Sequence, residues 1–311
     1  MEAGDLDTEL IRSLQHDGRA SIRSLAASLG QTRATVAARL RAMVDDGALR
    51  IVAAVDPALL GQHVLAHVSI RTDGAAAGVA EQLRAMDETV FVSAIGGSHD
   101  LVIEVWLGST PELHARLAQV RALPGVLHID TLLYTSVAKG FFVSEYRGEA
   151  DIDDLDAALI EELQLDGRTT FRELGRIVRL SPSAVATRVQ RLLDSGVIKI
   201  SAVEARGLGH RQLSMGVGLR LSHDDDEVIA ALQTARGVDF AVRTLGRFDA
   251  VATLVEPTAG ALYASLERLR ALPGVTAVEA WLHLAVLKED YARKLTTTRG
   301  AATRRRRTPQ E

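Results

Sequence analysis

The chain has 311 residues, 47% of them hydrophobic and 24% charged, a globular composition long enough for two domains or several smaller ones. It has no cysteine, which excludes disulfides, thiolate metal sites and a cysteine nucleophile, and with 4% aromatic residues its cores must be built from Leu, Val, Ile and Ala. A formal net charge of −4 argues at first against a general nucleic-acid coat. Met1–Asp7 is acidic with no apolar stretch after it, and charge or glycine interrupts every long apolar run. Neither a signal peptide nor a membrane span is expected, and the reading is a cytoplasmic protein.

In chain order, Leu6, Leu10, Ile11 and Leu14 are spaced for one face of a helix that ends at Asp17-Gly18-Arg19. Ser21 caps a second helix running to Leu29, Gly30 makes a sharp turn, and Thr32 caps a third helix to about Asp45. Gly47 stops it, and Leu49-Arg50-Ile51 reads as a short strand. A strand over His63–Arg71, a helix over Ala75–Met86, strands over Thr89–Ile95 and Leu101–Leu107, a helix over Pro111–Leu123 and a strand over Val126–Leu133 follow. That β-α-β-β-α-β order predicts a ferredoxin-like sheet with two helices on one face.

The same pattern recurs 149 residues later. Asp5-Leu6-Asp7 returns as Asp154-Leu155-Asp156, Asp17-Gly18-Arg19 as Asp166-Gly167-Arg168, and Leu123-Pro124-Gly125-Val126 as Leu272-Pro273-Gly274-Val275. Phe91, Gly97, Asp100 and Lys139 fall on Phe240, Gly246, Asp249 and Lys288, although Leu60-Gly61 against Leu208-Gly209 is out of phase. In the second half Ser181 is the cap, Pro182 takes the first helical position, and Gly196 stops the third helix before Ile198-Lys199-Ile200. The expected organisation is α+β, in two tandem copies of a helix-turn-helix segment (1–58 and 149–206) followed by a ferredoxin-like segment (59–148 and 207–295). A disordered basic tail is expected over 296–311.

Two helices, a tight turn and a third helix with a glycine stop form the layout of a major-groove reader. In the first copy Val36, Leu40 and Met43 form the inner stripe, and Ala34, Ala38, Arg41 and Ala42 lie opposite. In the second, Val185, Val189 and Leu192 are inner and Ser183, Thr187, Gln190 and Arg191 outer. Arg19 to Arg41 holds five arginines and no acid, and Arg168 to Arg191 six arginines against Glu173 alone. These charges suit either phosphate contacts or the solvated faces of two small bundles; their recurrence favours DNA. The candidate DNA-facing residues are Thr32, Arg33, Thr35, Arg39, Arg41, Ser181, Ser183, Thr187, Arg188, Gln190 and Arg191. Arg39 and Arg188 sit nearer the inner stripe, where an intramolecular pair or a phosphate contact is expected rather than a base contact. The alanine-faced first helix should anchor, and the polar second one should read bases.

The run from Asp5 to Asp56-Pro57 and its copy from Asp154 resemble the reader of the leucine-responsive regulator/AsnC (feast/famine) family. The matching features are the Leu-Asp opening, Asp-Gly-Arg, Thr32…Val36…Arg39 or Ser181-Pro182-Ser183…Val185…Arg188, and Gly196-Val197-Ile198. The β-α-β-β-α-β segments resemble that family's effector module, with Gly97…Asp100 and Gly246…Asp249 as its Gly-x-x-Asp turn. The resemblance implies a transcriptional regulator that binds double-stranded DNA and a small effector such as an amino acid, and that forms homo-oligomers. It calls for no cofactor, no metal and no catalytic residue. At the turns the glycines would bring N–H groups to a carboxylate and the aspartates would accept from an ammonium, unless the motif is only a hairpin turn. Ser98-His99 against Arg247-Phe248 makes the two turns unequal, and having two units in one chain departs from the family.

The competing class is a sirohaem-decarboxylase-like enzyme, which pairs two such units and would use histidines such as His99, His128 or His283 with nearby arginines. Lys139-Gly140-Phe141-Phe142-Val143 is a poor match to an RNA-binding sheet motif, and His63 and His67 lack a metal-site carboxylate. Gly207-Leu208-Gly209 lacks a third glycine, and no Ser-His-Asp arrangement stands out. Arg304–Arg307 suits a solvated end or added phosphate attraction.

Overall fold

The computed structural model describes residues 3–140, 151–204, 212–222 and 226–291. The readings at Phe141–Val143, Gly207–Gly209, Arg304–Arg307 and the basic tail lie outside them. The first half runs α1 (Ala3–His16), α2 (Ile22–Ser28), α3 (Arg33–Asp45), β1 (Leu49–Val55), a 3-10 turn, β2 (Val64–Thr72), α4 (Ala77–Arg84), β3 (Thr89–Gly96), β4 (Leu101–Leu107), α5 (Thr110–Arg121) and β5 (Val126–Lys139). The second runs in the same order through α6 (Asp154–Leu165), α7 (Phe171–Val178), α8 (Pro182–Asp194), β6 (Ile198–Glu204), β7 (Leu213–Leu221), α9 (Asp226–Thr234), β8 (Val238–Leu245), β9 (Ala250–Glu256), α10 (Ala259–Arg270) and β10 (Val275–Glu289). The fold is α+β, with winged helix-turn-helix and ferredoxin-like parts. Contacts gather these elements into two compact units, one from Met1–Leu60 with Glu145–Glu204 and one from Gly61–Ser144 with Ala205–Tyr291.

The helical unit is built by local chemistry that the sequence states openly. Ser21, Thr32, Thr170 and Ser181 each accept from the backbone N–H three residues on, satisfying an orphan donor of the helix that follows. Gly30, Gly47 and Gly196 take φ of 61°, 69° and 68°, where a side chain would be strained. Arg179, at the place of Gly30, adopts φ 55° as the only left-handed non-glycine among the described residues. The predicted inner stripes are buried: Val36, Leu40 and Met43 on α3, and Val185, Val189 and Leu192 on α8. They belong to a single core that draws on α1, α2, α6, α7, β1 and β6 as well.

Two devices hold the halves of this unit together. β1 and β6 pair antiparallel along their full length, from Leu49 opposite Glu204 to Val55 opposite Ile198, so the predicted short strands are longer than three residues. The Asp-Gly-Arg turns then clasp across. Arg19 donates to the carbonyls of Gly167 and Thr169 at 2.7 and 2.9 Å, while Arg168 donates to those of Gly18 and Ala20 at 2.8 and 3.0 Å. Gly18 N–H donates to Ile200 O at 3.2 Å and Gly167 N–H to Ile51 O at 2.7 Å. The motif read as a helix terminator is therefore also the clasp between halves.

The second unit is an eight-stranded closed barrel in the order β10-β3-β4-β2-β5-β8-β9-β7. The strand predicted over Val126–Leu133 runs on to Lys139, because β5 changes partner: Ile129 faces Ile70 of β2, and Val137 faces Val242 of β8. β10 does the same between β7 and β3, with Ala280 opposite Val217 and Val286 opposite Ser93. Alternation along the strands divides the side chains. Leu101, Ile103 and Val105 pack in a core with α4 and α5, whereas Val102 and Trp106 join Phe91, Leu132, Phe248 and Trp281 in a core between the sheets. Lys139 donates to Ala235 O just past α9, and Lys288 to Arg84 O and Met86 O at the end of α4, placing cations on helix C-termini.

A Cβ on Gly18 would lie 2.7 Å from Ile200 O, and one on Gly167 3.1 Å from Ile51 O. Gly18→Ala and Gly167→Ala are each expected to lower unfolding free energy in urea by about 1–3 kcal/mol, the cost typical of overpacking. Gly78→Ala, in open space on α4, should cost nothing; equal effects at all three sites would contradict the clasp.

Candidate functional site

On α3 the face opposite the core is open. Thr32, Arg33, Ala34, Thr35, Ala38 and Arg41 are exposed. Thr32 is occupied as the cap, accepting from Thr35 N–H at 3.1 Å, and its hydroxyl lies 2.9 Å from that of Thr35. On α8 the exposed set is Ser181, Ser183, Thr187, Gln190 and Arg191. Thr187 donates to Ser183 O at 3.1 Å and Gln190 to Asp194 at 2.8 Å, both one turn away along the helix. Such exposed bonds are weak, about 0.2–0.5 kcal/mol for a helix-surface pair, and release readily.

The arginines divide into two groups. Arg39 forms a two-pronged pair with Asp7, which raises its pKa, and Arg188 bonds Asp153 and Asp156 at 2.8 Å each, which raises its own. These two follow the intramolecular expectation. Arg191, expected to read bases, also carries an intramolecular pair. Its guanidinium pairs with Asp156 and donates to Asp151 O at 2.9 Å, because the Asp156 side chain, 1% exposed, draws counter-charge to itself. Arg19 and Arg168 are committed to the clasp, and burial lowers the pKa of both. Arg23, Arg33, Arg41, Arg172, Arg176 and Arg179 remain exposed, with no hydrogen bond or ion pair among the described residues. The phosphate argument from sequence thus rests on six arginines rather than eleven.

In the barrel unit the two Gly-x-x-Asp turns join β3 to β4 and β8 to β9. Gly97 and Gly246 have φ of 152° and 146°, and each turn lies against the long strand of the other half. A Cβ on Gly246 would lie 2.6 Å from the Leu132 side chain, and one on Gly97 3.4 Å from Trp281 Cβ. Asp100 accepts from Thr72 N–H and Asp249 from Leu221 N–H, both at 2.7 Å, tying each turn to the end of β2 or β7. One carboxylate oxygen of each aspartate therefore has a backbone task.

Beside these turns lies a polar chain that sequence reading missed. Ser98 Oγ sits 3.0 Å from His99 Nδ1, and His99 Nε2 lies 2.9 Å from Asp130. Asp130 also takes His128 at 3.1 Å, and Arg247 stands 4.0 Å away. The Ser98 hydroxyl donates to Glu279 at 2.8 Å, and Arg247 pairs with that carboxylate at 3.1 Å. The order is Ser-His-Asp, but the serine proton is directed at Glu279, so the chain is an ionic tie rather than an activated nucleophile. Burial and Arg247 together lower the His99 pKa. The tie was hidden because Asp130 and Glu279 lie on strands well removed in sequence from Ser98.

Comparison with known proteins places these parts. Residues 5–50 match the winged helix-turn-helix DNA-binding family, residues 64–141 the Lrp/AsnC ligand binding domain, and residues 152–193 the AsnC-type helix-turn-helix domain. The HTH-type transcriptional regulator Rv2324 of Mycobacterium tuberculosis is 32% identical over 139 residues, 44% of this chain and 94% of that protein. The HTH-type transcriptional regulator FL11 of Pyrococcus horikoshii is 28% identical over 137 residues, 43% of this chain and 91% of that protein. The crystal structure of the siroheme decarboxylase NirDL superposes with a TM-score of 0.60 at 16% identity, covering 92% of this chain and 93% of that one, a likeness of fold.

Asp156 serves Arg188, Arg191 and the N-cap of α6 at once. Asp156→Ala should therefore cost about 2 kcal/mol or more of unfolding free energy, less than a fully buried pair because both guanidinia reach solvent. Among the described residues Asp7→Ala removes one pair and no cap, and a urea series showing the larger loss there would contradict this ranking.

Proposed function

The chain belongs to the Lrp/AsnC family, and from that premise we propose a DNA-binding transcriptional regulator made of two complete family units fused in one polypeptide. Each unit would be a helix-turn-helix reader followed by a ferredoxin-like sensor. The observation that carries this reading is the helical unit itself. α3 and α8, one from each half, share one core and one β1–β6 ladder, and each turns small, polar and cationic side chains to solvent. A single chain then presents what a two-fold reader presents to two half-sites of a duplex.

The two readers have different chemistry. On α3, Arg33 and Arg41 serve as phosphate anchors while Ala34 and Ala38 touch thymine methyls at most. On α8, Ser183, Thr187 and Gln190 supply base-edge donors and acceptors, with Ser181 at the helix start. Arg39, Arg188 and Arg191 hold their helices in place. The effector is a small metabolite of the amino-acid class, taken at Gly97–Asp100 and Gly246–Asp249, and chains associate further as homo-oligomers. No catalytic step is assigned.

The NirDL likeness across 92% of the chain favours one second reading, an enzyme acting on a tetrapyrrole. The histidines do not favour it: His99 and His128 share Asp130, while His283 is bonded to Ser93 at 2.9 Å. Soret absorption on adding an iron tetrapyrrole, with loss of a carboxylate, would support the enzyme.

The test is selection of bound duplexes from a random pool, with and without a panel of amino acids. Gln190→Ala and Thr187→Ala are expected to relax preference in one half-site, by about 1–3 kcal/mol per lost bidentate contact. Arg41→Ala should weaken all sequences alike and reduce the salt slope by about one. Retention of no duplex, or equal loss of discrimination in both helices, would contradict the proposal.

A further inference from the structure

The barrel holds a cavity that opens to solvent on one side. Its composition is unlike the rest of the molecule. The chain has twelve Phe, Tyr and Trp residues, and six of them line this one space: Phe91, Trp106, Tyr134, Phe240, Trp281 and Tyr291. Among the described residues, the core of the helical unit and the two helix-backed cores of the barrel contain no fully buried aromatic ring. Packing in those cores is mainly aliphatic, so the aromatic side chains are concentrated around this one space.

Among the described residues of the wall the charged side chains are acidic. Glu104, Asp239 and Glu289 line the cavity, and among the described lining residues none is lysine or arginine. Glu104 is fixed in place by two phenols, accepting from Tyr134 at 2.8 Å and from Tyr291 at 3.1 Å. Burial and the Glu104 charge push the Tyr134 phenol well above its ordinary pKa, so it stays a donor. His67, fully enclosed, has its pKa pushed down to about 3 by burial and then by the charges of His283, Arg247 and His99, so it is neutral at physiological pH. Trp281 lines the cavity and is buried, and its indole N–H has no hydrogen-bond partner among the described residues.

The cavity also lies across the repeat but is not symmetric. Phe91 and Phe240 are counterparts at the 149-residue offset, as are Val102 and Val251, and both members of each pair line it. Glu104 corresponds to Thr253 and Tyr134 to His283, so one wall carries the fixed carboxylate and the other does not. A ligand would enter in one orientation.

We propose that this cavity binds a small organic cation with an aromatic body: the ring packs among the aromatic side chains and the ammonium faces Glu104. Faces of aromatic rings and a stationary carboxylate both attract a cation and disfavour an anion of the same shape. The site is distinct from the Gly-x-x-Asp turns and does not rest on the DNA-binding reading.

Both tryptophans of the chain line the cavity, so their emission reports its occupancy without a label. The full chain is titrated with tyramine, 4-ethylphenol and 4-hydroxyphenylacetate, which share a phenol and differ in a cationic, neutral or anionic end, with excitation where phenols do not absorb. A saturable change is expected for tyramine, with binding about tenfold or more tighter than the anion. Glu104→Gln should remove most of that preference while leaving 4-ethylphenol unchanged. Equal binding of the three, tighter binding of the anion, no saturable change, or an unchanged preference in a folded Glu104→Gln protein would each overturn the proposal. The wild-type series decides alone if the variant does not fold.

Discussion

A strand edge left unpaired is the constraint on which this architecture turns. β5 and β10 are each long enough to serve two neighbours, one in their own half and one in the other. Neither half can close its sheet alone, since the last residues of β5 have their backbone partners on β8 and those of β10 have theirs on β3. The exchange joins two ferredoxin-like sheets into one barrel without edges. The helical unit meets the same requirement through β1 and β6, reinforced by two arginines that each fill the carbonyls of the opposite turn. Having both halves on one polypeptide makes these exchanges intramolecular, so they do not depend on protein concentration.

Two halves that share one polypeptide are also free to diverge. In a two-fold assembly of identical chains every substitution is made twice; here it is made once. The Arg191–Asp156 pair has Ala42 and Asp7 at the corresponding places, and the turns differ as Ser98-His99 against Arg247-Phe248. The barrel interior differs in the same way, with Glu104 in one half and Thr253 at the corresponding place in the other. Asymmetry in a pseudo-symmetric frame allows one half to scaffold while the other recognises.

Local chemistry was legible in the sequence, and long-range chemistry was not. Caps at Ser21, Thr32 and Ser181, the glycine turns and the inner stripes of α3 and α8 could be read because each depends on residues within four positions. The strand ending at Leu133 was read six residues short because the continuation pairs with residues about a hundred positions away. The sum of arginines overstated the open charge, since Arg19 and Arg168 find partners only once the halves meet and Arg191 finds Asp156 on another helix of its own half. Six scattered aromatic residues gave no periodic pattern, so the cavity they share had no signature along the chain.

The central claim is that one chain is a complete two-fold reader. It is tested most directly by the mass, in analytical ultracentrifugation, of the complex formed on a duplex carrying a single selected pair of half-sites. The account predicts one chain per pair of half-sites, with further chains joining only when further pairs are supplied. Two chains on one pair, one for each half-site, would contradict it.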